Sequence, residues 1–76
     1  MSDLVRSMDG KDLGYIADFD GRTPIFVYIG ECEIAHFNGL QDHESVQVCD
    51  RYFTCGDLRR VISCFVPKEE YESIQA

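Results

Sequence analysis

Four cysteines, two histidines and a run of carboxylates are the side chains of this chain that could do chemistry. Cys32, His36, His43, Cys49, Cys55 and Cys64 are the candidate ligands for zinc. A structural zinc site starts from two ligands held two to four residues apart on a tight knuckle. No C-x-x-C pair occurs. Cys32 and His36 are four apart, which suits one metal on a helix and places the pair too far apart on a strand. We therefore expect no metal. His36 reads as a sheet histidine and His43 as a loop histidine.

Cys55 is the one candidate nucleophile, because it falls in the first turn of an expected helix and a helix N-terminus lowers a thiol pKa. The neighbouring Asp57 opposes that effect, and a cysteine enzyme also needs a positioned base and an oxyanion site. No glycine-rich phosphate loop, G-x-S-x-G elbow or calcium loop is present. The expectation is a protein with no catalytic residues and no cofactor. The cysteines then serve as small apolar packing residues. A small metal or redox domain built on them is a lesser alternative.

The carboxylates carry more. The 76 residues hold 14 acids against 7 bases, a net charge of −7. Residues 1–50 contain ten acids and three bases, while residues 51–76 contain four of each. No lysine or arginine occurs between Arg22 and Arg51, where five acids fall. Such a field repels phosphate and attracts basic surfaces. It argues against direct binding of nucleic acid, which needs a basic patch. The expected partner-binding residues are Glu31, Glu33, Asp42, Glu44 and Asp50, with Asp18 and Asp20 at an adjoining hairpin. Tyr28 or Tyr52 would supply an aromatic anchor. The competing explanation is a solvated face that keeps a small domain soluble.

Elements to position these residues follow from local pattern. The chain suits one domain, residues 1–76. Hydrophobic residues at 45% fit a folded chain. Ser2 can cap a short helix to about Met8, with Leu4, Val5 and Met8 as its stripe. Leu13 to Phe19 alternates as a strand, and Asp20-Gly21 is a turn. Pro24 to Ile29 is a strand buried on both faces. Glu31 to Phe37 reads as a third strand, with a one-turn helix as the competing reading. Asn38-Gly39 turns the chain, and Val46 to Phe53 forms a fourth strand.

Thr54 and Asp57 resemble a capping box. Leu58, Val61, Ile62 and Phe65 then give the clearest helical stripe, with Arg59, Arg60 and Ser63 pointing outward. Pro67 ends that helix, and Lys68 to Ile74 can form a last one held by Tyr71 and Ile74. The sum is an α+β, two-layer domain. A mostly antiparallel four-stranded sheet carries one main helix, about 55–66, on one face, with short terminal helices. No apolar run is long enough to span a bilayer. The N-terminus lacks an apolar signal segment. A cytoplasmic protein is expected.

A short acidic chain without catalytic motifs is similar in profile to phage-encoded inhibitors of bacterial defence, such as anti-CRISPR and anti-restriction proteins. The resemblance covers length and charge and carries over no site residue. It implies an inhibitor that covers a basic, nucleic-acid-binding surface of its partner, in some cases as a nucleic-acid mimic. The alternative is a self-associating structural module, such as a homodimer, using an apolar patch or an open strand edge.

Overall fold

Strand pairing, more than local pattern, decides where the chain is extended. In the computed structural model, which describes residues 3–18 and 24–75, six strands form one mixed sheet and three helices cover parts of both its faces. The strands are β1 (Asp3–Ser7), β2 (Asp12–Asp18), β3 (Pro24–Tyr28), β4 (Ser45–Val48), β5 (Arg51–Thr54) and β6 (Phe65–Pro67). Their order across the sheet is β5-β4-β1-β2-β3-β6, with only the β3–β6 pair parallel. The helices are α1 (Glu31–Gly39), α2 (Cys55–Val61) and α3 (Lys68–Gln75). The α+β class stands, and the four-stranded sheet with a single main helix is corrected to this larger arrangement.

The segment expected as an N-terminal helix is β1, a central strand bonded to β2 on one side and β4 on the other. Val5 and Ser7 point to the core while Leu4 and Arg6 point away. Leu4, Val5 and Met8 satisfy a helical stripe equally well. Pairing with β2 across a tight turn and with β4, distant in sequence, settles the outcome.

Glu31 to Gly39 is helix rather than strand. The alternation of Glu31 and Glu33 with Cys32 and Ile34 imitates a strand. Ile34 and Phe37, three apart, instead make a short apolar ridge, with Phe37 fully buried. Glu31 and Glu33 lie in the first turn and His36 in the last, both favourable to the helix dipole.

The expected fourth strand is a hairpin, β4–β5, that turns at Cys49-Asp50. Cys49 has a φ of 57°, a left-handed conformation that suits glycine better. Phe53 pairs with Val46 on the core side, and Tyr52 pairs with Gln47 and stays 64% exposed.

The capping reading of α2 holds: Thr54 Oγ1 accepts the Asp57 N–H at 3.2 Å. The helix stops at Val61, four residues short of Phe65. Beyond it, Ser63 N–H and Oγ–H both donate to the Pro24 carbonyl, and Phe26 N–H donates to the Cys64 carbonyl. These bonds start β6 beside β3 and take the backbone groups a longer helix would have used. Leu58 and Ile62 remain buried, Val61 is exposed, and Phe65 joins the strand.

The main core lies between the sheet and α1 and α2. Val5, Leu13, Phe26, Phe37, Val46 and Leu58 belong to it, with the Phe26 and Phe37 rings stacked at 4.9 Å. A smaller cluster, Ala17, Ile25 and Val27, lies on the opposite face under α3. So β3 is buried on both faces, as its continuous apolar run implies. Tyr71 anchors α3 edge-on to Tyr15 at 6.1 Å, while Ile74 stays exposed. The two-layer description is corrected accordingly: α3 adds partial cover on the second face.

Arg59 does not point outward. Its Nη2 donates to the carbonyls of Phe37 (2.9 Å) and Leu40 (2.5 Å), at the C-terminal end of α1. Its Nη1 meets Asp42, and the guanidinium lies 5.2 Å from the centre of the Phe37 ring. This one side chain joins the two helices of the first face.

Candidate docking surface

Antiparallel pairing divides the carboxylates between two ends of the sheet. Asp3 pairs with Ile16, and the Cys49 N–H donates to the Leu4 carbonyl at 3.2 Å. The start of β1, the end of β2 and the β4–β5 turn therefore share one end. Asp3, Asp18 and Asp50 lie there. The opposite end gathers the β1–β2 turn, the start of α1, the loop before β4 and the start of α2. Asp9, Glu31, Glu33, Asp42 and Glu44 lie at that end.

The expected partner-binding residues therefore do not share one surface. Of the proposed partner-binding residues, Glu31, Glu33, Asp42 and Glu44 come together, and Asp18 and Asp50 do not join them. Asp20 lies outside the described residues. Of the aromatic anchors, Tyr52 is exposed on the other face and Tyr28 is half-buried against the core. Asp9 belongs with the group and was not in the expected set. The Asp9-Gly10 turn signal would have put it at a hairpin tip had residues 3–7 been read as a strand.

The α1 end is held firmly. Ser7, buried, fixes the β1–β2 turn: its hydroxyl donates to Asp9 and accepts the Lys11 N–H at 3.0 Å. Gly10 takes a φ of 91° at the tip. The Ser7 hydroxyl holds the Asp9 carboxyl below the usual carboxylate range. Glu44 accepts the Gln41 N–H at 2.6 Å through its carboxylate, and its carbonyl accepts the Cys55 N–H at 2.8 Å. The Asp42 carbonyl accepts the Gly56 N–H at 3.0 Å. The 40–44 loop thereby supplies acceptors to the first turn of α2.

Ion pairing does not cancel the charge there. Lys11 reaches Glu33 at 3.8 Å, Arg59 reaches Asp42, and Lys68 turns to Glu72. Arg6 also pairs with Asp12 beside the β1–β2 turn, while at the far end Arg60 pairs with Asp57. Among the described residues, Asp9, Glu31, Glu44 and Glu69 have no ionic partner at the α1 end. At the other end, Arg51 lies in the same part of the sheet as Asp3, Asp18 and Asp50 and has no ionic partner among the described residues. Among the described residues, the α1 end is the more negative of the two.

The thiols follow their surroundings. Cys55 is fully buried in the main core, and burial pushes its pKa up, against the helix-terminus effect. The Cys49 thiol donates to Asp3 Oδ1 at 3.2 Å, and that bond raises its pKa. Both shifts disfavour the thiolate. In native alkylation we expect Cys55 to stay unmodified until the chain unfolds. Replacing Asp3 with alanine should speed labelling of Cys49 at pH 8. Mass mapping of the labelled sites checks both, and prompt labelling of Cys55 in the folded protein would contradict the packing described.

As a helix, α1 does set Cys32 and His36 one turn apart. No group of three or more His, Cys, Asp or Glu side chains that could hold a metal converges among the described residues. Nor is any helix among them long and apolar enough to cross a membrane. No protein-family model, curated protein or solved structure matches this chain.

Proposed function

We propose that this is an acidic binding protein that docks its α1 end onto a basic surface of a partner, a surface that otherwise holds nucleic acid. The observation that carries the reading is the charge balance of that end. Among the described residues, Asp9, Glu31 and Glu44 remain without ionic partners after the nearby bases are matched to Asp12, Glu33, Asp42 and Glu72. An uncancelled negative surface steers toward positive ones and gives them specificity. Fixed carboxylates also bind with less ordering cost than mobile ones, which the hydrogen bonds of Asp9 and Glu44 favour.

The mode of action is steric occupation rather than catalysis, and we assign it to the cytoplasm. The length and charge profile favours an inhibitor of the phage-encoded anti-defence kind, acting as a nucleic-acid mimic. The docking set is Glu31, Glu33, Asp42 and Glu44, extended to Asp9. Asp18 and Asp50 contribute only to the long-range field.

The test is capture of partners from a lysate of the source organism, with nuclease present, at low and high salt. We expect a nucleic-acid-binding protein at low salt, released by added DNA. Capture only of itself at both salts would overturn the reading in favour of self-association through the exposed Tyr52 face and the β5 edge.

A further inference from the structure

Between the β1–β2 turn and α1 runs a groove of about 520 Å³. Met8, 61% exposed, and Leu40 provide its apolar surface, His36 contributes from α1, and Asp9, Glu44 and Ser45 contribute polar groups. Met8 thus lies open beside two carboxylates that have no ionic partner among the described residues. The combination has a definite complement: a long apolar stem that ends in a positive charge.

We infer that this groove receives an arginine side chain of the partner, and the inference rests on the docking reading above. The methylenes of such a side chain would cover Met8 and Leu40. Its planar fork presents five N–H donors and can serve two separate carboxylates. Asp9 and Glu44 each use one acceptor internally, for Ser7 and for the Gln41 N–H, and a carboxylate retains further acceptor sites. Those internal bonds also orient the two groups before the guest arrives. Charge complementarity names the guest as basic. Two other grooves also combine carboxylates with apolar side chains, but Arg60 lines the one at Asp3 and Asp57 and Lys68 lines the one at Glu31 and Glu69, whereas no lysine or arginine lines the groove at Asp9 and Glu44.

The probe is hexa-arginine, titrated into the isotope-labelled protein and followed by NMR at low salt. The expected result is a saturable set of shifts centred on Ser7–Asp9, His36, Leu40 and Glu44–Ser45. Glu44→Gln should weaken binding about threefold, the scale of one partly exposed ion pair. Glu70→Gln, a control on the exposed surface of α3, should leave it unchanged. Shifts spread evenly over all carboxylates, or centred on Asp18 and Asp50, would overturn the groove while leaving acidic docking intact. Equal affinity of Glu44→Gln and the parent protein would do the same. No salt-sensitive binding of hexa-arginine anywhere would overturn the groove and count against the docking reading as well.

Discussion

Gly14→Ala should be among the most damaging single-atom-scale changes this domain can suffer. Gly14 is buried in β2, in the middle of the sheet, paired with Val5 on one side and Tyr28 on the other. A Cβ at this position would sit 2.3 Å from the Val27 carbonyl oxygen and 2.9 Å from the Tyr28 Cα. Both obstacles are backbone, so no side-chain rotation relieves them. The β2 and β3 strands would have to separate where the sheet is thickest with bonds, next to the irregular register between Val5 and Arg6. Overpacking of a tight site costs about 1–3 kcal/mol, and a clash with main chain belongs at the upper end. A domain of this size has roughly 4–11 kcal/mol of stability in total. Thermal unfolding should therefore fall by roughly 15 °C. A loss under about 3 °C would mean that β2 and β3 are not as close as described.

Arg59→Ala should be nearly as costly, for a different reason. The side chain is 28% exposed, and its guanidinium satisfies two carbonyls at the end of α1 and covers the Phe37 ring. Hydrogen bonds to a charged donor contribute about 1.5–3 kcal/mol when lost. A cation over an aromatic ring adds about 0.5–1 kcal/mol. We expect a loss of about 2–3 kcal/mol in urea unfolding, and about half of that for Arg59→Lys, which lacks the fork. Asp42, its ionic partner, is 79% exposed, so Asp42→Ala should cost under about 0.5 kcal/mol. The inequality is the informative part. Equal losses for Arg59→Ala and Asp42→Ala would make the ion pair, and not the helix end, the source of stability. Because Arg59 holds α1 against α2, the alanine variant should also loosen the docking end.

Local pattern announces some elements of this fold and not others. β2, β3 and α3 were legible because alternation, a doubly apolar run and a proline boundary are local signals. The cap at Thr54 was legible for the same reason. β1 and β6 were not. Each depends on partners distant in the chain, β1 on β4 and β6 on β3, and a five- or three-residue segment carries too little periodicity to announce itself. Phe65 shows the competition: it continues a helical stripe in the sequence, yet bonds from Ser63 and Cys64 to β3 start a strand first.

The carboxylates were legible in kind and number. Their grouping was not, because it follows from strand direction. Reading Glu31 and Glu33 as strand residues put them on a sheet face, whereas α1 carries them at one end of the sheet. Asp18 and Asp50 went to the other end once β1 became a strand between β2 and β4. Arg59 shows that a charged residue on the polar side of a stripe can still turn to the carbonyls of a neighbouring helix.

The most direct measurement of the central claim compares charge reversal at the two ends. The affinity of the captured partner would be measured for Glu31→Lys/Glu44→Lys and for Asp18→Lys/Asp50→Lys, each across a salt series. Docking through the α1 end predicts that the first pair loses at least about tenfold in affinity and flattens the salt dependence. The second pair should lose severalfold less. Equal losses for the two pairs, or a larger loss for the second, would contradict it.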